Sequence, residues 1–144
     1  MHFQYGFIRN STGNVAIEFA LVLPFLLLIL SGVFNFGLIL ANQNQLNAVA
    51  SAGLLYAFGN SSSPAAVQTA MQNATNLSPL TVTATQFCQC LDGSNPGCSK
   101  TCAGGVTPGT YVTVTAQSRV NLIALDFILT NPFLTNAQGT IRTN

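Results

Sequence analysis

The stretch STGNVAIEFALVLPFLLLIL, residues 11–30, decides the fold. It opens an almost unbroken apolar run from Val15 to Leu40. As a helix, that run reaches about 39 Å, beyond the roughly 30 Å hydrocarbon core of a bilayer. The run exceeds an ordinary signal-peptide core, and no A-x-A cleavage motif follows it. A buried soluble helix is the competing reading, but so short a chain has little material to cover such a helix on every side. The interruptions are Glu18, Pro24, Ser31, Gly32, Asn35 and Gly37. Pro24 removes one backbone hydrogen bond, which membrane helices tolerate.

Working outward, the N-terminal side carries Arg9, and no Lys or Arg follows the run until Lys100. The positive-inside rule then holds the N-terminus in the cytoplasm and exports the rest. On the C-terminal side, residues 41–59 continue at helical spacing. Leu46, Val49, Ala50, Gly53, Leu54 and Ala57 mark one face. Gly59, Asn60 and the serines before Pro64 stop the helix. Pro64 then starts a second helix over Pro64–Leu77, with Ala66, Val67, Ala70, Met71 and Ala74 on one face.

From Leu80 the pattern changes to β. TVTATQFCQC and YVTVTAQSRV are rich in β-branched residues and alternate. Val82, Ala84 and Cys88 share one face, which Val112 and Val114 can oppose. Residues 120–134 form an apolar excursion broken by Pro and Asn, and LTNAQGTIRTN at the end is a weaker strand candidate. The expected fold is α+β: a long N-terminal transmembrane helix, a short second helix and a small antiparallel sheet.

Composition narrows the function. Charged residues are only 5% of the chain, against about 25% in an average soluble domain. A net charge of +1, with Arg9, Lys100, Arg119 and Arg142 scattered, leaves no basic patch for nucleic acid. Abundant aliphatic residues exclude an intrinsically disordered chain. The single histidine, His2, and the three acidic residues, Glu18, Asp92 and Asp126, lie on separate segments. They supply neither an acid–base pair nor a Ser-His-Asp set. No phosphate-binding glycine loop is present. The expectation is a non-enzymatic protein with no cofactor.

All four cysteines, Cys88, Cys90, Cys98 and Cys102, fall in one Gly- and Pro-rich connection. The spacing C-x-C-x7-C-x3-C lacks the C-x2-C knuckle common in zinc sites. Outside the cytoplasm such a cluster reads as disulfides that staple a small sheet, with no metal held. Cys88 and Cys90, two apart on a strand, project to one side. Three pairings are possible. The nested one, Cys88–Cys102 with Cys90–Cys98, fits an antiparallel hairpin best, because both pairs centre on nearly the same turn.

Glu18 admits two readings. A carboxylate near a helix start is favoured by the helix dipole. Alternatively it belongs to a pattern: Arg9, then Gly13, then Glu18 five residues on, at the cytoplasmic edge of a span. This pattern resembles the class III signal of type IV pilin-like proteins. The stretch GNVAIEFALVLPFLLLILSGVFNFG resembles, more specifically, the TadE-like family of tight-adherence (Flp) pilus systems. CQCLDGSNPGCSKTCAGGVTPGTYVTVTAQ, residues 88–117, is similar to that family's Cys-rich hairpin and its P-G-x-Y-V-x-V strand. Near FNFG the family often carries an acidic or basic residue, where this chain has Asn35.

The resemblance implies a minor pilin or pseudopilin of the bacterial inner membrane, with its C-terminal domain in the periplasm or carried into an extracellular pilus. It implies a leader over residues 1–13, an assembly helix over 14–40 and an exported domain over 41–144. Prepilin peptidase would cleave between Gly13 and Asn14, with Glu18 and Phe19 completing the processing motif. Glu18 would then neutralise the new amine of Asn14 on a neighbouring subunit. Phe19, Leu21, Val22, Phe25 and Leu26 would supply packing surface. The implied partners are prepilin peptidase, other pilin and pseudopilin subunits, the tight-adherence secretion platform and the membrane. The alternative is a signal-anchored single-pass binding domain that keeps its leader.

Overall fold

A computed structural model describes residues 12–59, 63–123 and 131–143. One helix, α1, runs unbroken over Thr12–Gly59 with Pro24 inside it. At 1.5 Å per residue its 48 residues span about 72 Å. A second helix, α2, covers Pro64–Asn73. Three strands follow: β1 at Leu80–Gln89, β2 at Gly109–Val120 and β3 at Phe133–Arg142. They form one antiparallel sheet in the order β1-β2-β3. The α+β class and the expected order of elements hold. His2, Arg9 and Asp126 lie outside the described residues.

The two helices cover one face of the sheet. Leu46, Val49, Ala50 and Ala57 of α1 are buried against Val112, Val114 and Ala116 of β2 and Ala137 of β3. Val67 and Met71 of α2 close the core beside Val82 and Ala84 of β1. The helical spacing read in residues 41–59 therefore selects the face that docks. In register, Ala84 stands opposite Val114 and Val82 opposite Ala116, while Val112 faces Gln86.

Two elements differ from expectation. α2 stops at Asn73, not Leu77: the Ala74 N–H bonds the Met71 carbonyl, and the Leu77 N–H bonds the Thr75 hydroxyl at 3.2 Å. The Thr75 side chain thus takes over a donor that a continuing helix would have used. β3 is a full strand of 10 residues, starting at Phe133. Its alternation is weak in sequence, because Ala137 and Gly139 hold core-facing positions that large apolar residues usually fill. Gly139 is that small because Leu54 lies over it: a Cβ there would come within 2.6 Å of Leu54 Cδ1.

Gly53 has the same logic on α1. A Cβ would lie 2.6 Å from Met71 Cγ and 2.7 Å from its sulfur. Met71 is fully buried and cannot swing aside. Alanine gains about 1 kcal/mol of helix propensity over glycine. Overpacking a filled core costs about 1–3 kcal/mol. Overlap wins: Gly53→Ala is expected to destabilise the domain by about 1 kcal/mol, read from thermal melts beside Gly59→Ala, where the added Cβ meets nothing.

Candidate functional site

α1 is divided by what surrounds it. From Val15 to Leu30 its large apolar side chains are mostly exposed, among them Ile17, Phe19, Leu21, Val22, Phe25 and Leu26. The most apolar window of the helix is wholly uncovered, and the helix is long and apolar enough to cross a membrane. The buried-core reading of this segment therefore fails, since no other described element lies over it. Glu18 lies exposed on the same stretch, beside Phe19. Gly13 and Asn14 belong to the first turn of α1. Gly13, Asn14, Glu18 and Phe19 thus share one end of the helix, while Asn35, where contacts with the domain begin, lies about 33 Å beyond Gly13 along it.

The changeover is marked by Asn35, which is 2% exposed within the apolar run. Its amide clamps the chain that leaves β2. Asn35 Nδ2 donates to the Ile123 carbonyl at 2.6 Å, and the Ile123 N–H donates to Asn35 Oδ1 at 2.6 Å. Asn35 Nδ2 also donates to the Ser31 carbonyl at 2.7 Å. Asn131 repeats the device on the neighbouring residue, accepting from the Leu122 N–H and donating to its carbonyl. Two turns further along α1, Asn42 Oδ1 accepts from the Thr135 hydroxyl at 2.7 Å, and Gln43 donates to the Asn136 carbonyl. Among the described residues, no buried side-chain polar atom lacks a partner. Sequence reading noted Asn35 as an interruption of the apolar run and as a departure from a family motif, but gave it no partner. The available cue was physical: an amide inside an apolar run must be hydrogen-bonded.

The opposite end of the sheet carries the cysteines. Cys88 is bonded to Cys98 and Cys90 to Cys102, with Cα separations of 4.9 and 5.8 Å. This interleaved pairing overturns the nested one. The reason is register. The β1–β2 ladder sets Cys88 opposite Thr110 and ends at Gln89 opposite Gly109. Cys102 therefore never stands across from Cys88 in a continuing hairpin. Instead the connection folds into two tight loops. Residues 90–94 are closed by Cys90 N–H to Ser94 carbonyl, and residues 102–106 by Cys102 N–H to Val106 carbonyl. Gly93 and Gly104, at φ of 83° and 81°, supply left-handed backbone that other residues resist. The Cys90–Cys102 bond joins the bases of the two loops.

Asp92 caps the first loop. Its carboxylate accepts from the Ser94 hydroxyl at 2.6 Å and from the Ser94 N–H at 3.0 Å. The hydroxyl foremost, then the N–H, holds the carboxyl below its ordinary value. A depressed value means that the cap's contribution is present above the ordinary carboxylate range and is lost as pH falls through the folded-state value. An NMR titration should find Asp92 below an ordinary aspartate, and Ser94→Ala should return it upward.

A cavity of about 240 Å³ beside these loops is lined by Leu91, Val106, Tyr111 and Arg142, among others. No cluster of His, Cys, Asp or Glu able to hold a metal occurs among the described residues, where every cysteine is in a disulfide. The geometry is that of a long apolar helix with a small stapled domain clasped to its far half.

Residues 13–54 match the family model described as TadE-like protein. The matched segment starts at Gly13 and ends within the docked half of α1, so it holds the bare span, the Asn35 clamp and most of the helical core face. Residues 88–117, expected from their cysteine and strand pattern to resemble the same family, lie outside the matched segment. Compared with curated proteins and with solved structures, the chain gives no match.

Proposed function

We propose that this chain is a minor pilin or pseudopilin that helps assemble a tight-adherence pilus. The carrying observation is the overlap of the family match with the bare helix. The match begins at Gly13, in the first described turn of α1, and takes in the uncovered apolar stretch with Glu18 near its start. A helix with no cover of its own needs another apolar surrounding, first lipid, then the helices of other subunits.

On this reading residues 1–13 are a leader, and prepilin peptidase cuts the Gly13–Asn14 bond on the cytoplasmic side. Phe19, Leu21, Val22, Phe25 and Leu26 then pack against neighbouring helices. Glu18 pairs with the new Asn14 amine of an adjacent subunit, a contact strongly favoured in low dielectric because either charge alone would be penalised. The stapled domain faces the periplasm and travels with the helix into the filament or the secretion platform.

Mass spectrometry of the membrane-purified protein tests the reading. Co-expressed with an active prepilin peptidase, the chain should begin at Asn14; with a catalytically dead peptidase, it should retain Met1. A chain that keeps its first residues in both strains would instead be the signal-anchored, unprocessed domain.

A further inference from the structure

The membrane helix and the folded domain share a boundary, and the domain's lower end is apolar there. Val15 to Phe34 rises about 30 Å, the thickness of the hydrocarbon core. Asn35 therefore stands at the exported edge of that core, and its amide holds Ile123 at the same level through two hydrogen bonds of 2.6 Å. The backbone clamp leaves the Ile123 side chain 58% exposed, beside a helix whose Val33, Phe34 and Phe36 are also exposed. The apolar surface of the span thus continues sideways onto the domain.

The next level up is amphipathic. Thr135 bonds Asn42, which lies about 10 Å beyond Asn35 along α1. Its neighbour Leu134 is exposed on the open face of the sheet, paired in register with Arg119, itself exposed. Lys100 and Arg142 lie toward the other end, with the cysteine loops. Each headgroup layer is about 5–8 Å deep, so the Ile123 side chain, level with Asn35, meets the acyl-chain edge, and a cation whose backbone stands about 10 Å higher meets phosphate by extending its long side chain down toward the layer.

We infer that this end of the domain is a membrane-contact surface: Ile123 inserts at the acyl–headgroup boundary, and Arg119 reaches the lipid phosphates, so that the domain sits down on the bilayer instead of standing clear of it. The inference rests on the membrane-spanning reading of α1. It explains why the apolar run goes on past Phe34, since Phe36 and Leu40 then share the interfacial layer with the domain.

The chain contains no tryptophan, so one introduced indole reports alone. Full-length variants Phe25→Trp, Ile123→Trp, Asn121→Trp and Gln138→Trp are placed in phosphatidylglycerol–phosphatidylethanolamine vesicles with acyl chains brominated near the headgroup. Gln138 adjoins Gly139, which packs on Leu54 roughly 28 Å beyond Asn35. Asn121 is an exposed neighbour that serves if the indole at 123 disturbs folding, with absence of free thiols as the check on fold. The expected result is blue-shifted, strongly quenched emission at 25 and 123, weaker quenching at 121 and none at 138. Quenching at 25 alone overturns the contact surface and leaves the span standing. Emission at 123 that is blue-shifted yet unquenched means protein covers the surface, which also overturns it. Quenching at 138 as well would make the contact unspecific, and quenching nowhere would remove the span and the inference together.

Discussion

Reducing both disulfides is expected to lower the melting temperature of the protein by about 20 °C in detergent at neutral pH. Each bond closes a short loop, with sequence separations of 10 and 12, and loops of this size contribute about 2–3 kcal/mol per bond. The effect reaches the whole domain because the anchors are not peripheral. Cys88 and Cys90 are 5% and 6% exposed, and Cys88 lies on the core face of β1 in contact with Thr110. Together the bonds contribute about 5 kcal/mol, comparable to the total stability of many small domains. A calorimetric scan with and without reductant measures the shift, and Cys90→Ser/Cys102→Ser should give about half of it. Melting that ignores the reductant would mean the loops fold independently of the sheet.

Asn35→Leu should cost about 2–4 kcal/mol despite raising the hydrophobicity of the span. The substitution leaves the Ile123 N–H and carbonyl without the amide that serves both, and each unserved polar group costs about 1–3 kcal/mol when water is scarce. Helix propensity moves the other way by only a few tenths of a kcal/mol. Amide hydrogen exchange reads the outcome: the Ile123 amide should lose most of its protection, while amides of β1 change far less. Asn35→Asp separates the two functions of the side chain. It can still accept from the Ile123 N–H, but it has no donor for the carbonyl, so it should not restore the native state. If leucine leaves exchange at Ile123 unchanged, the amide is not what joins the domain to the helix.

These two sites show where sequence reading reached and where it stopped. The docked face of α1 was legible because Leu46, Val49, Ala50 and Ala57 recur at the helical period, and period alone assigns a face. β1 and β2 were legible from alternation of Val, Ala and Thr. The end of α2 was not, since it turns on one Thr75 hydroxyl, and β3 was underrated because small residues stand at its core-facing positions 137 and 139, the latter beneath Leu54. The Cys-rich connection was recognisable as a crosslinked region, yet its pairing was misjudged: it follows from the β1–β2 register, which two alternating strands do not specify without their connection.

Gly13, Glu18 and the apolar run were plain in the sequence because span length and local spacing are one-dimensional quantities. Local chemistry by itself determined a membrane-length helix that continues into a soluble half, then two alternating strands and a cluster of cysteines destined for one another. Only the tertiary structure decided that Cys88 joins Cys98, that Gly53 and Gly139 are small to admit Met71 and Leu54, and that Asn35 holds Ile123. Each of those pairs residues distant along the chain, and which distant groups meet is set by the register of the sheet and the packing of α1 upon it.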